Sequence, residues 1–174
     1  MSDLKQGVTL EVLGEGTSLG PFYKPLYKNT DVPLRSFGDH FNYLERKGIS
    51  LNVASFVGAA TIRAFELGFD DVDPTPEQLE RMKIQVRKAM QEGALGIGSA
   101  LIYTPGVYAE TKELIEICKA AAEFDGTYIT HMRSEGDRLL EAVDEVIRIA
   151  REANIDAEIY HLKAAGRENW SKLD

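Results

Sequence analysis

The sequence predicts an α/β protein with a parallel sheet and helices outside it. Three observations predict it. Five short apolar or β-branched runs stand apart: TLEVL (9–13), LNVASFV (51–57), LGIGS (95–99), TYITH (127–131) and AEIYH (157–161). Amphipathic helical patterns separate them. Successive runs begin roughly 30 to 45 residues apart, the length of a βαβ unit. The order strand, helix, strand repeated along a chain implies parallel strands joined by outer crossovers.

Each element has its own signal. Residues 9–13 stop at Gly14 and residues 51–57 stop at Gly58. Residues 95–99 form a weaker, glycine-rich strand, while 127–131 and 157–161 are rich in β-branched, apolar and aromatic residues. Short apolar runs of this kind suit strands covered on both faces. Helical patterns occupy about 37–47, 75–92, 110–124 and 137–153. The second opens on Thr75-Pro76-Glu77-Gln78, with Thr as N-cap, Pro at the first helical position and Gln three residues after the cap. In the last, Leu139, Leu140, Val143, Val146, Ile147 and Ala150 recur at helical spacing and predict a core-facing stripe. From these elements alone the sheet is either open and doubly wound or part of a closed barrel.

The 174 residues are about one domain's worth. A formal net charge of −8 disfavours nucleic acid and anionic lipid as partners. No strand is followed by GxGxxG or GxxxxGK[ST], which removes the main support for dinucleotide or P-loop binding. The single cysteine, Cys118, lies in an apolar helical pattern and reads as a buried, inert thiol. With no signal-type leader after Met1 and no membrane-length apolar run, the expected location is the cytoplasm. The acidic turn Asp70-Asp71-Val72-Asp73 reads as a solvated loop.

The candidate chemistry gathers at strand ends. The chain has three histidines, and two of them close consecutive strands: His131 ends TYITH and His161 ends AEIYH. Sites in parallel α/β folds lie at the C-terminal strand ends. Two imidazoles from neighbouring ends can converge on one metal, zinc being a natural choice. His40, beside Phe41 in a helical stretch, reads as structural. Arg133 and Lys163 follow the two histidines and either grip a substrate carboxylate or form surface salt bridges. Glu135 either orients Arg133 or faces water. Tyr103, in the loop after LGIGS, either donates into the same mouth or packs in a Pro-Gly turn. Glu15, flanked by Gly14 and Gly16, is either a metal-binding carboxylate or a solvent-facing one.

Together the segments LNVASFVG (51–58), ALGIGSALIYTPGVYAETKEL (94–114), YITHMRSEGD (128–137) and IYHLKAAGRENW (159–170) resemble the N-acyl-D-amino-acid deacylase (D-aminoacylase) family of amidohydrolases. Their order and spacing match as well, over most of the chain from Gly7 to Trp170. The resemblance implies a metal-dependent (β/α)₈ TIM barrel that hydrolyses linear amide bonds of N-acyl-D-amino acids with one or two zinc ions. It implies that His131 and His161 are the two later metal ligands and that Tyr103 and Lys163 contact substrate; from its place beside the histidine, Arg133 is expected to help hold the substrate carboxylate. Many relatives carry a bridging cysteine in a GNCG motif where this chain has Gly14-Glu15-Gly16, so Glu15 is expected to supply an oxygen bridge in place of the thiolate.

Several departures accompany the resemblance. LGIGS lacks the lysine that is carboxylated in other amidohydrolases, and Ala59 stands where many relatives have a His. No two histidines lie two apart, so the HxH pair is absent, and the general-base Asp is expected beyond the C-terminus. Residues 1–174 are therefore expected to be a single partial barrel domain, about five of eight β/α units, truncated at both ends. On that expectation the activity belongs to the full-length enzyme. Two competing readings are a dihydroorotase- or hydantoinase-like cyclic amidase, and a non-catalytic half barrel that forms homo-oligomers through exposed sheet edges.

Overall fold

A computed structural model describes residues 2–21 and 35–174. After a short helix α1 (Ser2–Lys5), strand β1 (Leu10–Leu13) leads towards helix α2 (Phe37–Lys47). Ser36 caps α2 and Asp39 returns the contact to the cap, a reciprocal capping box. The next strand is split by Phe56 into β2 (Asn52–Ser55) and β3 (Val57–Gly58). Its first half pairs with β1, Leu10 opposite Asn52 through Leu13 opposite Ser55. Its second half pairs with β4 (Gly96–Ala100), Val57 opposite Ile97. Two backbone bonds carry the ladder across the break, Phe56 N to Leu13 O (2.9 Å) and Leu95 N to Ser55 O (3.0 Å). All described pairings are parallel, and β4 is followed in the sheet by β5 (Thr127–His131) and β6 (Asp156–Ile159).

The strands thus lie in chain order, as expected for successive β/α units with outer helices. The barrel is not closed among the described residues: β1 and β6 each have one neighbouring strand. The helices on the sheet are α3 (Ala59–Leu67), α4 (Pro76–Gln91), α5 (Thr111–Ala122) and α6 (Leu139–Ala153). Their inner faces supply one core with Val57, Ile97 and Tyr128 of the sheet. Burying each such side chain contributes about 1.5–3 kcal/mol relative to exposure. Cys118 is fully buried in this core, and burial pushes its thiol up, so it is inert as expected.

Three details differ from the sequence reading. Helix α3 is not anticipated by it. This helix starts directly after β3 on Gly58, with no side-chain cap, so the usual entry signal is missing. The core stripe of α6 is Leu139, Ala142, Val146, Ile149 and Ala153. Leu140 and Ile147 lie on the exposed flank, Leu140 at 56%. The helix carries more apolar positions than one face can bury, and tertiary packing selected among them. Finally, β6 ends at Ile159 rather than at His161, which adopts φ +36° in a turn.

Candidate metal centre

Glu15 is delivered by a loop that only glycine allows. Gly14 and Gly16 have φ of +100° and +75°. A Cβ on Gly14 would lie 2.1 Å from the Phe56 carbonyl oxygen, and one on Gly16 would lie 2.6 Å from Ala100 Cβ. The loop therefore lies flat on the ends of the second and fourth strands, and the carboxylate of Glu15 projects from it.

His131 is the last residue of β5, opposite Ala100 of β4. Alternation along β5 sends Tyr128 and Thr130 to one face and Ile129 and His131 to the other. Tyr128 enters the helix-side core, where Ser99 Oγ donates to Thr130 Oγ1 (2.7 Å) and shares a hydrogen bond with Tyr128 OH (2.8 Å). That buried polar ladder pins β4 to β5 directly beneath the histidine. His161 arrives differently. Tyr160 N still donates to Thr130 O (2.9 Å), and then the backbone turns, bringing the His161 ring over His131 with centroids 4.5 Å apart at 70°.

The result is a cluster of donors. His131 Nδ1 lies 2.9 Å from His161 Nε2. Glu15 Oε1 lies 3.9 Å from the former and 3.5 Å from the latter. Together Glu15, His131 and His161 form a group of suitable type and spacing to hold a metal ion. Ligands about 2.0–2.1 Å from a tetrahedral zinc are separated from one another by roughly 3.3 Å, and the three observed edges straddle that value. Burial lowers the His131 pKa. The His161 and Lys163 charges push the same way, against the pull of Glu135 and Glu15. A neutral ring keeps a lone pair for coordination. With both rings neutral, the cluster sets two carboxylates, Glu15 and Glu135, against one ammonium, Lys163, an excess of one negative charge that favours a cation.

The remaining candidates fall into two groups. Tyr103 joins the mouth: its ring lies 5.7 Å from that of His131, and it lines a cavity of about 390 Å³ with Glu15, Thr17, Ala60, Ala100 and Thr104. Lys163 also joins it, 3.1 Å from Glu135 Oε1 and 3.5 Å from His161 Nδ1, although the turn at His161 interrupts the extended backbone that would have aimed it there. Arg133 is committed elsewhere. Its Nε and Nη2 donate to the Glu145 carboxylate (2.9 Å each), and Nη1 and Nη2 donate to the carbonyls of Val107 (3.0 Å) and Ala109 (2.7 Å). It braces the loop after β4 against α6. Ala59 starts α3 and brings no polar group to the mouth. His40 is buried and stacked on Phe41, a structural residue as read.

Glu135 is the residue whose place the sequence left open. It neither orients Arg133 nor faces water. Its side chain is 15% exposed and lies against both histidines and Lys163. The available signal was its position four residues after His131, on a loop that must turn back over the strand end.

No protein-family model matches the chain. Individual relatives do. The chain is 33% identical over 181 residues to a D-aminoacylase of Alcaligenes xylosoxydans xylosoxydans, covering 97% of this chain and 37% of that protein. A D-aminoacylase structure concerned with the functional role of its binuclear metal centre superposes with a TM-score of 0.85 at 31% identity, over 95% of this chain and 37% of that one. An N-acyl-D-glutamate deacylase from Bordetella bronchiseptica, solved with zinc and a phosphonate mimic of the tetrahedral intermediate, gives a TM-score of 0.89 at 29% identity, over 98% and 38%. In sequence and in fold the chain is thus a homologue of the D-aminoacylase family of N-acyl-D-amino-acid deacylases, matching nearly all of its own length to a little over a third of theirs.

Proposed function

We propose that this chain forms the metal-holding part of a zinc-dependent amide hydrolase acting on N-acyl-D-amino acids. The observation that carries the proposal is the convergence of His131 Nδ1, His161 Nε2 and Glu15 Oε1 at one strand-end mouth. The relatives support both the metal and the substrate class, since one is described with a binuclear centre and another with zinc and an inhibitor. One or two zinc ions fit a donor set in which a carboxylate stands where the family's thiolate does. When bound, zinc supplies a Lewis acid for the scissile carbonyl and acidifies water.

The chain's own residues do the rest. Lys163 and Tyr103 flank the imidazole pair, and an ammonium and a phenol there suit the carboxylate of an amino-acid substrate. Held at that end, the substrate is oriented with its amide towards the histidines. Arg133 acts through the loop it braces, by keeping Tyr103 in place. The lone buried thiol fits a cytoplasmic setting, and no helix among the described residues is long and apolar enough to cross a membrane.

A zinc titration of the chain, with assays of the chain restored to full length on N-acyl-D-, N-acyl-L- and cyclic-imide substrates, tests the proposal. Zinc uptake that His161→Ala abolishes, with turnover of the D-acyl substrates, is expected. Undiminished zinc binding by His161→Ala would sink the ligand assignment. Turnover of cyclic imides alone would favour a cyclic amidase. Zinc-independent oligomers without turnover would favour a half barrel that only assembles, a reading supported by the exposed Leu10 and Val12 of the edge strand β1.

A further inference from the structure

We infer that Glu135 is a positioning residue of the metal centre, one carboxylate that sets which nitrogen of each histidine faces the ion. The inference rests on the metal reading of His131 and His161 given above.

The two rings present opposite nitrogens to the two carboxylates. Towards Glu15 they turn His131 Nδ1 and His161 Nε2. Towards Glu135 Oε1 they turn His131 Nε2, at 3.6 Å, and His161 Nδ1, at 3.2 Å. A neutral imidazole has one N–H and one lone pair, whereas an ionised carboxylate only accepts. Without an ion the two inner nitrogens, 2.9 Å apart, share a proton; an ion that took both inner lone pairs would leave each ring its N–H on the outer nitrogen, with Glu135 Oε1 as the acceptor facing both. The rings would hold an ion through different atoms, Nδ1 in one and Nε2 in the other, yet the same oxygen faces the outer nitrogen of both. His131 Nε2 is buried and has no hydrogen-bond partner. A shift of roughly 0.4 Å towards Glu135 would give it one.

Glu135 is itself held in place. Its carbonyl accepts from Ala165 N (2.6 Å), which ties the loop after β5 to the segment after His161. Asn169, in the 3-10 stretch Arg167–Leu173, donates to Ala165 O (2.7 Å), and Lys172 Nζ donates to Asp137 O (2.7 Å) and Asn169 Oδ1 (2.5 Å). The Lys163 ammonium, 3.1 Å from Oε1, helps to hold the carboxylate against the rings. This is the general arrangement in which a carboxylate behind a ligating histidine fixes its tautomer and raises its basicity.

The test uses the intact chain and chelator competition for zinc, with Glu135→Ala, Glu135→Gln and, as a charge control, Glu141→Ala at an exposed carboxylate. Glu135→Ala is expected to bind zinc roughly 10–100-fold more weakly. Glu135→Gln keeps an accepting oxygen but gives up the charge and is expected to bind zinc more weakly than the wild type and more tightly than Glu135→Ala, whereas Glu141→Ala is expected to stay within a few-fold of the wild type. In ¹⁵N spectra of the zinc-loaded protein, the Nδ1 proton of His161 should be protected from exchange in the wild type and in Glu135→Gln, and unprotected in Glu135→Ala. Wild-type affinity in Glu135→Ala would overturn the inference. So would a Glu135→Gln variant that folds but loses both zinc and the protected proton, which keeps the test decisive if the alanine variant does not fold. A wild-type chain that takes up no zinc would instead overturn the metal reading on which the inference stands.

Discussion

Two charged clusters in this molecule invite comparison. One joins Arg63 of α3 to Glu113 of α5 among the outer helices, and the other gathers Glu15, His131, His161, Glu135 and Lys163 at the strand ends. In the first, the side chains are 1% and 4% exposed, the guanidinium meets the carboxylate, and its other arm donates to Val72 O at 2.6 Å. Cation and anion match one for one, and the one buried polar atom of the pair left without a hydrogen-bond partner is Arg63 Nε. In the second, two carboxylates face one ammonium, two imidazole nitrogens meet at 2.9 Å, and the mouth opens to solvent through His161, whose side chain is 39% exposed. Burial with matched charges makes a structural element. Convergence with an unmet demand for positive charge, beside an opening, makes a binding site.

Breaking the helix-side pair should produce the largest loss of stability. Arg63→Ala leaves Glu113 buried without its cation and is expected to cost about 3–5 kcal/mol in denaturant unfolding. Replacing both residues by apolar ones of similar size should recover most of that. Zinc affinity corrected for unfolding should hardly change, which would separate the two clusters.

The strand-end cluster should respond the other way round. His161→Ala is expected to reduce zinc affinity at least ~100-fold, about 2.7 kcal/mol, by removing a ligand. The metal-free protein should lose under ~1 kcal/mol, because the ring is partly exposed. A large loss of metal-free stability would mean that the histidine pair is a packing element like the helix-side pair.

Gly14→Ala tests the support beneath Glu15. A side chain at φ +100°, placed against the Phe56 carbonyl, is expected to destabilise the protein by about 1–3 kcal/mol and to weaken zinc binding as well. Full zinc affinity in a folded Gly14→Ala protein would show that the loop's seat is not what presents the carboxylate.

The smallest effect is in pH dependence, where the clusters have opposite signs. Burial pushes the Glu113 carboxyl up from 4.5, and Arg63 pulls it back only part of the way, leaving it at about 7. Folding therefore takes up a proton there, and the stability this group contributes is full below pH 4.5 and lost as pH rises through about 7. Burial lowers His131 from 6.5, so its contribution is full above pH 6.5 and lost as pH falls. Metal-free unfolding between pH 4.5 and 8 should show Glu113→Gln gaining on the wild type as pH rises and His131→Gln gaining as pH falls. Parallel slopes in the two variants would contradict the comparison.

Much of this was legible in the chain. The five strand lines and four of the helices follow from period and punctuation. The capped start at Thr75 is local chemistry that needs no partner, and the structure shows its capping box complete. Helix α3 was not legible, because it grows out of a strand with no capping side chain. The α6 stripe was legible only as a set of apolar positions, since which of them face inward depends on what packs there. The histidines could be placed at strand ends from sequence, but the turn that folds His161 over His131 could not, since its positive φ falls on a residue with no glycine signal.

The order of residues along the chain thus determined the parallel α/β architecture and put His131 and His161 on neighbouring ends, because backbone periodicity and the alternation of faces are local properties. Only the tertiary structure decided that Glu15 reaches them from more than a hundred residues away, that Arg133 serves α6 instead of the mouth, and that Glu135 stands behind both rings. Those outcomes depend on distances across the chain, on which donors are already satisfied and on how much charge each pocket must balance, and a linear sequence does not carry those quantities.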